Sequence, residues 1–105
     1  MVFRIWHGWT THANADIYEN LLKTDIFPGI AAKNIPGYLG IRLLKRTLEN
    51  ESEFITIMKF ESIDAVKAFV GVDYEKSYVP DKAKKVLLRH DAVSCHYESV
   101  AHIIY

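Results

Sequence analysis

The extended segments of this chain are apolar on both faces, and that limits its folds more than any other feature. Val2 to Thr10 is rich in aromatic and β-branched residues and reads as a strand. One face carries Phe3, Ile5, His7 and Trp9, the other Val2, Arg4, Trp6 and Gly8, and neither is cleanly polar. Tyr38 to Leu48 alternates Leu39, Ile41 and Leu43 against Gly40, Arg42 and Leu44. Glu53 to Phe60 sets Ile55 and Ile57 against Phe54, Thr56, Met58 and Phe60. An open antiparallel sheet normally keeps one face polar. A chain of 105 residues has too few helices to cover both faces, and an exposed apolar sheet is an aggregation liability. The simplest solution is a second copy packed sheet to sheet, so the pattern predicts a homodimer.

Between these strands the spacing turns helical. Asn14 is a good N-cap and Asp16 suits the first turn of a helix with Ile17, Tyr18, Leu21 and Leu22. Pro28-Gly29 interrupts that pattern, and Ile30, Ala31 and Ala32 continue it for another turn. Pro36-Gly37 is the next break, and Glu49 to Ser52 forms a hairpin connection. Ser62 caps a second helix with Ile63, Val66, Phe69 and Val70, which Gly71 ends. Val72 to Pro80 reads as irregular. Pro80 opens a third helix with Ala83, Val86 and Leu87 at core spacing, and His90 suits its negative end. Ala92 to Val100 alternates as the last strand, which the apolar tail Ala101 to Tyr105 could prolong. The order is a single α+β domain, residues 1–105, of the ferredoxin-like βαββαβ kind. Its four-stranded antiparallel sheet carries helices on one face.

Composition narrows the function. Thirteen basic and thirteen acidic residues cancel, which argues against a nucleic-acid partner. The Lys82, Lys84 and Lys85 cluster alternates with apolar residues and reads as the wet face of a helix. Cys95, the only cysteine, excludes an intrachain disulfide and reads as a buried strand residue. No signal-peptide run and no membrane-length apolar stretch is present, so a cytoplasmic, membrane-free setting is expected. Five scattered histidines make no metal-ligand pair at helix spacing beside a carboxylate, and neither a phosphate loop nor a GxGxxG fingerprint occurs.

The strand Arg4-Ile5-Trp6-His7-Gly8-Trp9-Thr10, the joint Pro36-Gly37-Tyr38-Leu39-Gly40, the stretch Asp73-Tyr74-Glu75 and the ending His96-Tyr97-Glu98 resemble the antibiotic-biosynthesis monooxygenase family. The resemblance runs from Val2 to Val100 and rests on fold-level more than catalytic motifs. It implies a dimeric α+β barrel. It also implies oxygenation of a small phenol- or anthrone-type substrate without metal, flavin or nicotinamide. In that chemistry the substrate anion itself passes an electron to oxygen. The protein needs an apolar pocket, between sheet and helices, and one or two polar groups that favour the anion.

Seven residues are weighed for that pocket. His7 lies mid-strand among aromatic residues and is the first candidate base or anion-stabilising donor; a buried, satisfied histidine is the competing reading. His96 lies on a strand expected beside the first and could approach His7 if register and face agree. Trp9 shares the His7 face, while Trp6 points the other way, and both suit packing as well as substrate contact. Tyr74 and Tyr78 could hold a substrate oxygen from the irregular segment, or plug the gap between helix and sheet. Arg42 could pair with an anionic substrate or with a neighbouring carboxylate. His12 and Asn14 read as loop and cap.

Two other functions compete. One is a non-catalytic, stress-responsive or small-ligand-binding dimer, since fold does not carry function with it. The other is haem binding or degradation, because a branch of the same superfamily does that chemistry with a helix histidine, an asparagine and a tryptophan. Tyr78 to Leu88 holds no histidine, and His7 stands where that asparagine is expected.

Overall fold

The computed structural model describes residues 1–105. Strand β1, Val2–Thr10, lies inside the sheet because it can pair along both edges. On one side it runs antiparallel to β3, Ser52–Phe60, from Val2 opposite Phe60 to Thr10 opposite Ser52. β3 pairs in turn with β2, Tyr38–Thr47, across a bulge at Tyr38–Gly40. On its other side β1 pairs with two short strands, β4, Arg89–His90, and β5, Cys95–Glu98. The order β2-β3-β1 followed by β4 and β5 is the expected ferredoxin-like arrangement.

The last strand is split, where the sequence predicts one run from Ala92 to Val100. The cause is Asp91. Its carboxylate accepts the His7 backbone N–H at 3.0 Å, while its own N–H donates to His7 O at 2.9 Å. A side chain thus takes the place of the next ladder carbonyl, and the chain leaves the sheet. Residues 92–94 meet the segment read as irregular instead: Ser94 N–H donates to Glu75 O at 2.7 Å, and Lys76 bridges Val93. The tail does not extend β5. Ser99 N–H still reaches Met1 O at 3.0 Å.

The first helix, α1, spans His12–Leu21 and starts two residues before the expected cap. Thr11, not Asn14, is the N-cap, and its hydroxyl accepts the Asn14 N–H at 3.1 Å. His12 is accordingly helical, and its ring reaches Leu48 O at 2.8 Å. A π-helical turn, Leu22–Ile26, then leads into α2, Phe27–Ala31. The interruption falls before Pro28, which sits in the first turn of α2, where its missing N–H costs no helical bond. α3, Ile63–Val70, is capped by Ser62, which accepts the Ala65 N–H at 3.2 Å. α4 is one turn, Asp81–Lys84, behind Pro80. His90 does not cap it; it lies in β4 with its ring 5.5 Å from Trp6.

All four helices cover one face of the sheet, the one bearing Val2, Arg4, Trp6, Gly8 and Thr10, each buried. Two apolar clusters form there. One gathers Val2, Ile30, Met58, Phe60, Val66 and Phe69; the other packs Ala15, Tyr18, Leu22 and Ala83 on Phe54. Gly37 brings β2 in beside α3. Its φ is +82°, and a Cβ there would lie 2.7 Å from the Ala65 Cβ, so the joint has room only for hydrogen.

Candidate functional site

Between the two clusters a cavity of about 50 Å³ remains, under the inner face of β1. Its wall is mostly apolar, with Tyr18, Leu22, Ile41 and Met58 among its residues, and Thr56 and Ser94 add hydroxyls. Roughly 150 Å³ is the size of an apolar cavity that takes up benzene, so a ring enters only if the walls move. Leu22, Ile26 and Phe27, from the π-helical turn and the start of α2, form one wall. A π turn is a common feature of functional sites and loosens the regular helical ladder. Tyr78 forms another part of the wall and is partly exposed, its ring 5.0 Å from Phe69 and under the Lys33 ammonium at 4.8 Å.

Arg4 is the unusual group. It lines the cavity with only 3% of its surface exposed. Its guanidinium donates to Tyr74 O, to Lys76 O at 2.8 Å and to His96 Nε2 at 3.0 Å. None of the protein's ion pairs includes it. Burial pulls its pKa down to about 10, so it stays charged at neutral pH. A buried cation held only by neutral acceptors leaves a positive potential in the cavity wall without a matching anion. His96 is held below the ordinary histidine range, first by burial and then by the Arg4 charge, against a weaker pull from Glu75. It is therefore neutral at pH 7, with Nε2 accepting from Arg4 and the proton on Nδ1. Its ring stands edge-on to Tyr74 at 5.1 Å.

Trp6 completes the wall. Its indole N–H is shared between Asp91 O at 2.9 Å and Ser77 Oγ at 3.0 Å, and the Ser77 hydroxyl donates to the same carbonyl at 2.7 Å. The ring is thereby fixed by its polar edge while its body meets the cavity.

The residues expected from sequence divide between two faces. His96 and Tyr74 gather around Arg4, and Tyr78 borders the cavity. His7, Trp9 and Arg42 lie on the opposite, open face. There His7 Nδ1 is 2.8 Å from Asp91 Oδ2, its ring stacks on Trp9 at 6.0 Å, and Arg89 lies over Trp9 at 4.5 Å. His7 and His96 do not meet, because the register sets His96 opposite Arg4, three residues from His7 and hence on the other face. Arg42 is exposed opposite Ile57. Cys95, expected buried, is exposed beside Tyr97 on that open face. Arg4 itself escapes sequence reasoning. The signal that marks it is a lone charge between Val2 and Trp6, on a face that only the helices identify as inner.

No family model matches the sequence, and no curated protein matches it. Solved structures do. A Bacillus cereus protein described as a candidate antibiotic biosynthesis monooxygenase matches with a TM-score of 0.66 and 16% identity, over 99% of this chain and 97% of its own. A mutant of MhuD with two manganese protoporphyrin IX bound per active site matches with a TM-score of 0.70 and 20% identity, over 100% of both chains. The haem-degrader MhuD of Mycobacterium tuberculosis, with two haems bound in its active site, matches at 0.59 and 22%, over 98% and 99%. The chain has the antibiotic-biosynthesis monooxygenase fold. That is the α+β ferredoxin-like fold of the dimeric barrel proteins. The cavity wall holds neither histidine nor cysteine; Met58, Tyr18 and Tyr78 are its side chains of a type that can ligate a haem iron, and burial raises the pKa of the Tyr18 hydroxyl. No group of three or more His, Cys, Asp or Glu side chains is placed to hold a metal ion, and no helix is long and apolar enough to cross a membrane.

Proposed function

We propose that the protein is a homodimeric, cofactor-independent oxygenase that binds a small hydroxyaromatic as its anion, in the cavity and against Arg4. The observation that carries this is the buried guanidinium without a carboxylate partner in a mostly apolar wall. In a water-poor site such a charge lowers the free energy of a phenolate relative to the phenol. The hydroxyl proton leaves to solvent, and the electron-rich anion passes one electron to dioxygen. The two radicals combine at a ring carbon, and loss of water from the peroxide gives the quinone. The substrate loses two hydrogens and gains one oxygen, and the second oxygen leaves as water.

His96 and the carbonyls of Tyr74 and Lys76 aim the guanidinium, and Trp6 supplies a flat wall. A ring enters when Tyr78 and the π-helical turn yield. The open sheet face, with Phe3, Ile5, Ile55, Ile57 and Leu44, supports the dimer, since a second copy would cover it. His7 and Trp9 belong to that interface in this reading.

The test is oxygen uptake by metal-stripped protein against anthrones, naphthols and hydroquinones, each with a no-protein control. Protein-dependent uptake without added cofactor is expected, and its absence across the panel would reject the oxygenase. Cys95 tests the dimer separately: its thiol should react more slowly with a thiol reagent as protein concentration rises. A rate independent of concentration, with a monomeric mass throughout, would remove the interface.

A further inference from the structure

Arg4 carries more information than its charge. A guanidinium has five N–H donors in a rigid plane. Both N–H groups of Nη1 are engaged, by Tyr74 O and His96 Nε2, and one of Nη2 is engaged by Lys76 O. The donors left without a protein partner are Nε–H and the second N–H of Nη2. These belong to adjacent nitrogens, and a ligand with two oxygens side by side can take one donor from each. A single phenolate oxygen leaves one of these donors unmet. A carboxylate meets both.

We infer that the cavity's preferred ligand is an aromatic carboxylate, its two oxygens received by Arg4 Nε and Nη2 and its ring lying along Trp6. This rests on the reading of the Arg4 cavity as an anion site for a small aromatic and names the anion. The oxygenated hydroxyl is then a second group on the same ring, next to the carboxylate, so that the Arg4 charge still favours its phenolate while the carboxylate is the handle that holds the ring. His96 contributes by remaining an acceptor: it takes one Nη1 N–H. A lysine could supply the charge but not donors on adjacent nitrogens.

The test is equilibrium binding of 2-naphthoate and 2-naphthol, followed by tryptophan fluorescence, to the intact protein and to Arg4→Lys. In the intact protein the carboxylate is expected to bind about tenfold or more tighter than the naphthol, the worth of one added charge-assisted hydrogen bond. In Arg4→Lys that advantage should shrink to roughly threefold or less, with naphthol affinity little changed. Should the variant fail to fold, the intact protein gives the same answer by nuclear magnetic resonance. The Arg4 Nε–H signal should move downfield with 2-naphthoate and not with 2-naphthol.

A naphthol bound as tightly as the naphthoate, or a preference that survives in Arg4→Lys, overturns the paired contact while leaving the anion site standing. Binding of neither compound overturns both. Oxygen uptake with naphthols alongside no naphthoate binding overturns the carboxylate assignment alone.

Discussion

Replacing Arg4 with methionine separates a charge kept for a ligand from one kept for the fold. Burial brings Arg4 from 12.5 to about 10, which at about 1.4 kcal/mol per pH unit makes the charge about 3 kcal/mol costlier there than in water. Arg4→Met removes that cost and keeps much of the stem's packing. It also deletes three hydrogen bonds from a charged donor, each with a net worth of about 1.5 kcal/mol, the lower end for such bonds. The acceptors it strands are not sealed in: Lys76 is exposed, and Tyr74 and His96 are half-buried, so water can reach them. The two contributions cancel to within about 1.5 kcal/mol. Removing one partner of a true buried ion pair costs about 3–5 kcal/mol instead. Urea unfolding measures the difference: the midpoint should fall modestly at an unchanged slope, while 2-naphthoate affinity falls at least tenfold. A loss of more than about 3 kcal/mol would show that Arg4 is chiefly a brace between β1 and the 74–76 segment and not an anion site.

Other substitutions probe the frame around that site. Gly37→Ala should lose about 3 kcal/mol in urea unfolding, since it combines a positive φ with a Cβ set 2.7 Å from the Ala65 Cβ, and neither atom can rotate away. Thr10 is fully buried and its Oγ1 has no hydrogen-bond partner, so Thr10→Val should raise the melting temperature, by the equivalent of about 1 kcal/mol; a lower one would mean the hydroxyl is satisfied. His96 has a folded-state pKa below its unfolded value, so the unfolded chain binds the proton first. Its contribution is complete above about pH 6.5 and is lost as pH falls through the folded value. His96→Gln keeps an acceptor for Arg4 but cannot titrate, and should flatten the acid limb of stability against pH; an identical limb would clear His96 of that role.

The strands were legible because period-two alternation and β-branched content are local properties, and the helices from spacing and from the Ser62 cap. What stayed hidden depends on long-range pairing. β1 has large apolar residues on both faces, so nothing local says whether Arg4 or His7 is turned inward. That choice is made where the helices land, and by Asp91, whose carboxylate takes the His7 N–H and ends the ladder there. The same aspartate redirects residues 92–94 toward Glu75 and Lys76, whose segment supplies the acceptors for Arg4.

Residue type and bonding weight the two faces of β1 differently. A histidine among aromatic residues has the usual profile of a base, and His7 keeps it: Asp91 holds Nδ1, the ring stacks on Trp9, and Nε2 has no protein partner. An arginine on a strand has the usual profile of a solvated residue, yet Arg4 is buried with donors to spare. The residue that matters in a site like this is the one whose bonding capacity exceeds what its own chain supplies. Neither residue type nor periodicity reports that surplus. It is visible only in the pairing of each donor and acceptor around the cavity, and by that measure Arg4, with Nε–H and one Nη2 N–H unspent, is the group on which the proposed anion site rests.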